Sequence, residues 1–467
     1  MLDVRLNIKG DHSEPDSTKE MISLFSGGGI GDLGFYAAGF NVKIANELIP
    51  QRAALFKHNF KQTKMFVGDI WKKKEEILVY TKNNNIKPFL IFATPPCQGM
   101  SSNGAGKLLR EYREGNRPKF DPRNRLIIPA LHIIKELNPD WIIFENVCGM
   151  QNTVIEDEDG EIRNIISVIK NNIGNEYIGY AKELEFADYG LPQMRKRLIT
   201  IYTKNIIAKK VHDLGYDLFP VTTHNQFGIN GKMKWTSLRS AIGNFKKLDA
   251  KEKFSSCDVN DILHHVSVID PIKYEWIKNT PEGKSAFDNQ CINPLCGYDK
   301  NTNHGMKKEN GINQAKKDTP IYCLKCGSLL PRPYVEENGI KRIMKGYTSA
   351  YKRMTWDQPA STITTNFNFS CSDRKIHPTE NRTLSISEAC VLQSISNYNY
   401  SWGPLMMNGK YYKKANDTLI RDIIGESVPP IITEKIGNYI KTISEENNLD
   451  IFKNKKKGQT LVSFLNR

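Results

Sequence analysis

At 467 residues the chain is long enough for two or three domains with ample core. Its apolar (39%) and charged (25%) fractions are those of an ordinary globular protein, and the absence of any 18-residue apolar run excludes a membrane helix. A formal net charge of +15 points to a polyanionic partner, nucleic acid by default, with a solvated lysine-rich surface as the plainer alternative. Residues 1–19 form a polar lead-in with no apolar signal core, so the chain is expected to be cytoplasmic and nucleoid-associated, without contact to a membrane. Nine cysteines in that setting suggest thiols or metal ligands rather than disulfides.

In chain order, MISLFS (21–26), KIANEL (43–48), MFVGDI (65–70), FLIFATP (89–95), WIIFENV (141–147) and LITIYT (198–203) read as short apolar strands. Helical patterns separate them. RLIIPALHIIKEL (125–137) keeps close to a 3.6-residue period and stops at Asn138-Pro139. This alternation predicts an α/β domain with a largely parallel sheet over 20–225. Over 226–348 the texture turns polar and rich in Gly, Asn and Lys, which predicts a second domain. Regular pattern returns over 349–443, with amphipathic helices in SISEACVLQSI (385–395) and IITEKIGNYIKTI (431–443). From 444 a loose tail is expected, carrying the basic run KNKKK.

The first strand runs into FSGGGIGDLGF, where Gly29, Gly31 and Gly34 spell G-x-G-x-x-G and Glu47 follows at the distance of a ribose-binding carboxylate. Such a turn admits a ligand close to the backbone, but alone it is a weak signal. Phe25 could cover an adenine or a sulfonium, Asp69 could meet an exocyclic amine, and Cys97 stands just past a strand end, at the ligand-binding rim of an open sheet.

FSGGGIGDLGF, GDI, TPPCQGMS, ENV, YGLPQMRKR and RMTWDQPASTITT together resemble, in order, the motif series of the DNA (cytosine-5)-methyltransferases. The resemblance spans about 21–203 and 345–440. It implies the Rossmann-like sheet domain of S-adenosylmethionine-dependent methyltransferases, and a smaller target-recognition domain that reads duplex DNA. It implies transfer of a methyl group from S-adenosylmethionine to carbon 5 of a flipped-out cytosine. Cys97 is then the thiolate that adds to carbon 6, flanked by Gln98. Glu145 is the carboxyl at ring nitrogen 3, whose role needs a raised pKa. Asn146 positions the cysteine loop, and Arg195 and Arg197 wall the base pocket. Phe25, Ser26, Gly27, Gly29, Glu47, Leu48, Asp69, Ile70 and Pro95 hold the cofactor. Arg353, Thr362, Thr364 and Thr365 support the recognition domain. Two positions depart from the family: Ile30 replaces a glycine, and Glu426 stands where asparagine is usual, which bears on the cofactor contacts of both.

Residues 100–125 follow Cys97 and carry seven basic side chains, as a loop closing over phosphates would. Cys291-x4-Cys296 and Cys323-x2-Cys326, each pair followed by glycine, have the spacing of a structural Cys-four zinc site. Cys257, His264, His265 and His304 are alternative ligands. Zinc is not part of the family pattern and rests on spacing alone.

The sequence thus predicts a monomeric modification enzyme of a restriction–modification system, with a cognate endonuclease encoded nearby. A tRNA cytosine methyltransferase and an inactive DNA-binding regulator are the competing readings. The Cys-Phe-Thr tripeptide of the tRNA enzymes does not occur, and the complete set of catalytic residue types opposes the regulator.

Overall fold

The computed structural model describes residues 19–96, 121–309, 312–316, 318–344, 349–407 and 410–454. Seven strands form the central sheet: β1 (Glu20–Leu24), β2 (Asn41–Glu47), β3 (Lys64–Val67), β4 (Leu90–Ala93), β5 (Trp141–Asn146), β6 (Ile178–Glu185) and β7 (Lys196–Thr203). Their spatial order is β3-β2-β1-β4-β5-β7-β6. The first five strands are parallel, and β7 runs antiparallel to both β5 and β6. The sheet is therefore mixed. The sequence reading found β7 but missed β6, whose outer-edge position leaves it mostly half-buried and without a continuous apolar run.

The apolar runs follow from burial on both faces. Along β5, Trp141 and Ile143 enter one apolar layer while Ile142 and Phe144 enter the other, and β4 alternates likewise through Leu90, Ile91, Phe92 and Ala93. One layer is completed by α1 (Ile30–Ala37), α2 (Pro50–Asn59) and α6 (Ile206–Asp213). The other is completed by α3 (Ile70–Asn83), α4 (Ile127–Leu137) and α5 (Ile165–Ile173). Helix α4 ends at Asn138, in the left-handed conformation, just before Pro139.

The late segments α9 (Ile386–Leu392), α10 (Asp417–Glu426) and α11 (Pro430–Ser444) return to the first layer, after α7 (Leu238–Ile242) and α8 (Pro271–Lys278). Helix α11 crosses α1 so closely that a Cβ on Gly34 would lie 2.0 Å from the Pro430 carbonyl oxygen. Thr433 Oγ1 donates to the Gly31 carbonyl at 2.7 Å. The third glycine of the fingerprint therefore serves helix packing. The tail expected from 444 is packed further than predicted: Phe452 is buried and meets Tyr216 edge-on. Residues 455–467 lie outside the described residues.

Between α8 and Ile376 a separate small core gathers Trp276, Ile277, Phe287, Ile321 and Tyr351. Arg353 ties it to the sheet domain's side: its guanidinium donates to the carbonyls of Thr280, Ile277, His377 and Glu380. Among the described residues no helix is long and apolar enough to cross a membrane.

Candidate active site

The carboxyl ends of β1, β2, β4 and β5 and the turn after β3 share one rim, where an open α/β sheet binds its ligands. At the end of β1 the chain turns sharply. Phe25 adopts φ 60°, Gly27 φ 55°, and Gly29 φ 85° as the cap of α1. A non-glycine residue in the left-handed region is uncommon, and here the Phe25 carbonyl is held by Thr94 Oγ1 at 2.9 Å. The glycines differ in purpose. A Cβ on Gly27 would meet nothing within 4 Å, so this position is open to a ligand, whereas one on Gly29 would strike Phe60 and Phe56 at 2.7 and 2.8 Å. Gly29 thus answers helix packing.

Glu47, at the end of β2, is buried, and both oxygens accept backbone amides: Oε2 from Gly27 at 2.9 Å and Oε1 from Ile49 at 2.8 Å. Burial pushes its pKa up, and the amides and Arg52 counter only part of that rise. Each oxygen keeps a second lone pair, the acceptor set that a ribose diol needs. Asp69 caps α3, accepting from Trp71 N at 3.0 Å through one carboxyl oxygen, with buried Ile70 next in line. Leu48 is 62% exposed.

A pocket opens between this turn and the late segment, lined by Ser26, Gly27, Gly31 and Thr94 on one side and Ser427 and Val428 on the other. The cavity between them measures about 50 Å³. Ile30 is buried in the apolar layer beside it. Asp32, Arg52 and Thr94 are further lining residues that the sequence reading missed. Asp32 was legible as an acidic residue inside the fingerprint. Arg52 had no signal, because only the fold brings α2 against α10. Asp32 is 1% exposed and burial raises its pKa to about 7.

Glu145 lies at the end of β5, opposite Ile199 of β7, and is 6% exposed. Arg197 Nε stands 3.2 Å from its Oε1. Burial raises the Glu145 pKa and outweighs the lowering by Arg197 and Arg195. Asn146 Nδ2 donates to the Pro95 carbonyl at 2.9 Å, tethering the end of the β4 loop to the strand that carries Glu145. Arg195 takes a different course. Its guanidinium donates to the carbonyls of Ile363 (2.9 Å), Gly425 (3.2 Å) and Ser427 (2.9 Å), stitching the late segments to the sheet. These contacts are to buried carbonyls, while the Arg195 charge also bears on Glu145. Thr362 Oγ1 donates to Met194 O, and Gly425 approaches Thr365 N so closely that a Cβ would lie 2.2 Å away. Cys97, Gln98 and most of the basic loop at 100–125 lie outside the described residues. At its end, Arg123 pairs with Asp121 and Arg125 Nε donates to the Glu156 carbonyl.

In the second region the sulfur atoms of Cys291, Cys296, Cys323 and Cys326 all lie within 4.8 Å of one another. The pairs Cys291–Cys326 and Cys296–Cys323 are 3.7 and 3.8 Å apart, and all four are free thiols. Four sulfurs at about 2.3 Å from one tetrahedral ion stand about 3.8 Å apart. Gly297 and Gly327 take positive φ, turning each knuckle. The alternative ligands are engaged elsewhere: His264 with Ser385 and the Lys246 carbonyl, His265 with Asp417, and His304 with Thr319 and the Phe287 ring. Cys257 Sγ lies 3.7 Å from the Lys253 carbonyl.

Over 431 residues the chain is 29% identical to the Type II methyltransferase M1.HgaI of Avibacterium volantium, covering 90% of this chain and 97% of that protein. It is 35% identical over 187 residues to the Type II methyltransferase M.AquIA of a Picosynechococcus strain, covering 39% of this chain and 71% of the relative. Its fold matches a prophage-encoded E. coli protein described as a DNA modification methyltransferase, at a TM-score of 0.53 and 18% identity, covering 91% of this chain and 99% of that one. The C-5 cytosine-specific DNA methylase model matches residues 19–442; the chain belongs to that family and is a DNA cytosine-5 methyltransferase.

Proposed function

We propose that this enzyme modifies a cytosine within a specific duplex sequence as the methylating partner of a Type II restriction–modification system, through a covalent bond from Cys97. The Type II assignment is drawn from relatives matched along nearly their whole length. The observation that carries the chemistry is the Asn146–Pro95 hydrogen bond beside the buried Glu145–Arg197 pair. Cys97 follows Pro95 by two residues in the sequence, and its own placement lies outside the described residues.

The residues along the rim fit S-adenosylmethionine: the open Gly27 in the pocket, Glu47 bonded to its amide as a buried diol acceptor, and Asp69 at the start of α3 as an amine acceptor. When bound, the cofactor supplies an electrophilic methyl group. The protein does the rest. Cys97 adds as thiolate to carbon 6 of the base, opening the C5=C6 double bond and making carbon 5 nucleophilic; once carbon 5 is methylated it loses its proton, the double bond re-forms and the thiolate leaves. Glu145, holding its proton more tightly because it is buried, shares it with ring nitrogen 3 as charge builds there. Arg197 fixes the carboxyl, and Arg195 positions the strand that bears Arg197. The base reaches this rim only by leaving the stack, and the basic segment after Cys97 would neutralise the phosphates around it. The cysteine quartet binds zinc in a structural role and shapes the recognition region. The enzyme works as a monomer on nucleoid DNA in the cytoplasm, with an endonuclease encoded nearby.

The test is a duplex with 5-fluorocytosine in its recognition site. A stable protein–DNA adduct that needs the cofactor and is absent in Cys97→Ser supports the reading. Adduct formation on RNA in preference to DNA would replace it with the tRNA enzyme.

A further inference from the structure

The charged side chains lining the cofactor pocket, among the described residues, are Asp32, Arg52 and Glu426. Two of them form a pair that joins distant segments: Arg52 Nη1, from the first turn of α2, lies 2.6 Å from Glu426 Oε2, at the end of α10. Their side chains are 17% and 42% exposed. A half-exposed pair adds little to stability, and here both members face the same cavity. Arg52 is also close enough to Glu47 to favour its charged form, while Glu426 opposes it. The guanidinium therefore contacts the Glu426 carboxylate directly and also bears on the charge of Glu47.

The amino-acid end of S-adenosylmethionine is a zwitterion, an ammonium beside a carboxylate. A carboxylate and a guanidinium held together offer the opposite polarity, and guanidinium grips carboxylate through two parallel hydrogen bonds. A neutral amide at 426 could donate and accept but would carry no charge. We propose that Arg52 and Glu426 are specificity residues for this end of the cofactor, Arg52 receiving its carboxylate and Glu426 its ammonium. The proposal rests on the reading of the pocket as the S-adenosylmethionine site, and it gives the Glu426 departure a purpose.

Calorimetric titration tests it with two probes: S-adenosylhomocysteine, and 5′-methylthioadenosine, which keeps the nucleoside and thioether but lacks the amino-acid end. Arg52→Gln and Glu426→Gln should each weaken S-adenosylhomocysteine by about tenfold or more and weaken methylthioadenosine far less. The charge swap Arg52→Glu/Glu426→Arg, with its unliganded melting temperature checked, should rebuild the pair without rebuilding affinity. Equal loss of both probes, no loss of either, or recovery of S-adenosylhomocysteine binding in the swap would each show a structural clamp and overturn the proposal. A wild-type protein that binds neither probe would instead overturn the pocket assignment beneath it.

Discussion

The rim of the sheet domain is backed by two apolar layers, so its functional side chains are fixed before any ligand arrives. The cysteine quartet is backed by little more than Trp276, Ile277, Phe287, Ile321 and Tyr351, while Ile292, Leu295 and Leu324 beside the knuckles stand 54%, 97% and 62% exposed. In the first region apolar burial positions the chemistry. In the second, four sulfurs converge within 4.8 Å beside a small core. The first region is held by packing, and the second brings together a thiol cluster with little apolar surface around it.

That contrast can be broken in order of effect. Cys97→Ser should lower methyl transfer by about 10⁴-fold or more while duplex binding persists, measured by labelled-methyl transfer and gel shift. Turnover near wild type would remove Cys97 as the nucleophile. Stripping metal with a chelator, or Cys323→Ala, should abolish duplex binding but leave the main melting transition and S-adenosylhomocysteine binding intact, and intact protein should carry one zinc per chain. Loss of both functions together would mean that the two regions are not separately held. Arg195→Ala should destabilise the sheet domain by about 3–5 kcal/mol in denaturant, since it strands buried carbonyls on two segments. A cost under about 1 kcal/mol would show that the stitch is dispensable.

The smallest effect concerns Asp32. Its native pKa, raised from 3.8 to about 7, means the native state holds a proton that the unfolded chain has lost. Stability from this group therefore falls as pH rises from about 4 to 7. Asp32→Asn should flatten that decline and gain about 1–2 kcal/mol at pH 8 without ligand. An unchanged pH profile would place the carboxyl in a wetter site than its 1% exposure implies.

Much of the sheet domain was legible because strands buried on both faces leave continuous apolar runs, and because the glycine turn and Pro-Pro-Cys-Gln carry local backbone demands. Strand β6 was not, since an edge strand with one side open alternates too weakly. The late helices were visible as amphipathic stretches, but their meeting with α1 was not, because Gly34 reads the same whether it admits a ligand or a helix. Arg195 and Arg197 look equivalent two residues apart. Only the positions of Gly425 and Ser427, 230 and 232 residues away, separate their tasks. The cysteine spacing was informative for the opposite reason: two short intervals bring four sulfurs within 4.8 Å of one another.

The contact between Thr433 and Gly31 joins residues 402 apart. The turn after β1 is thus buttressed by a late helix, and it is complete only once that helix has folded back onto α1.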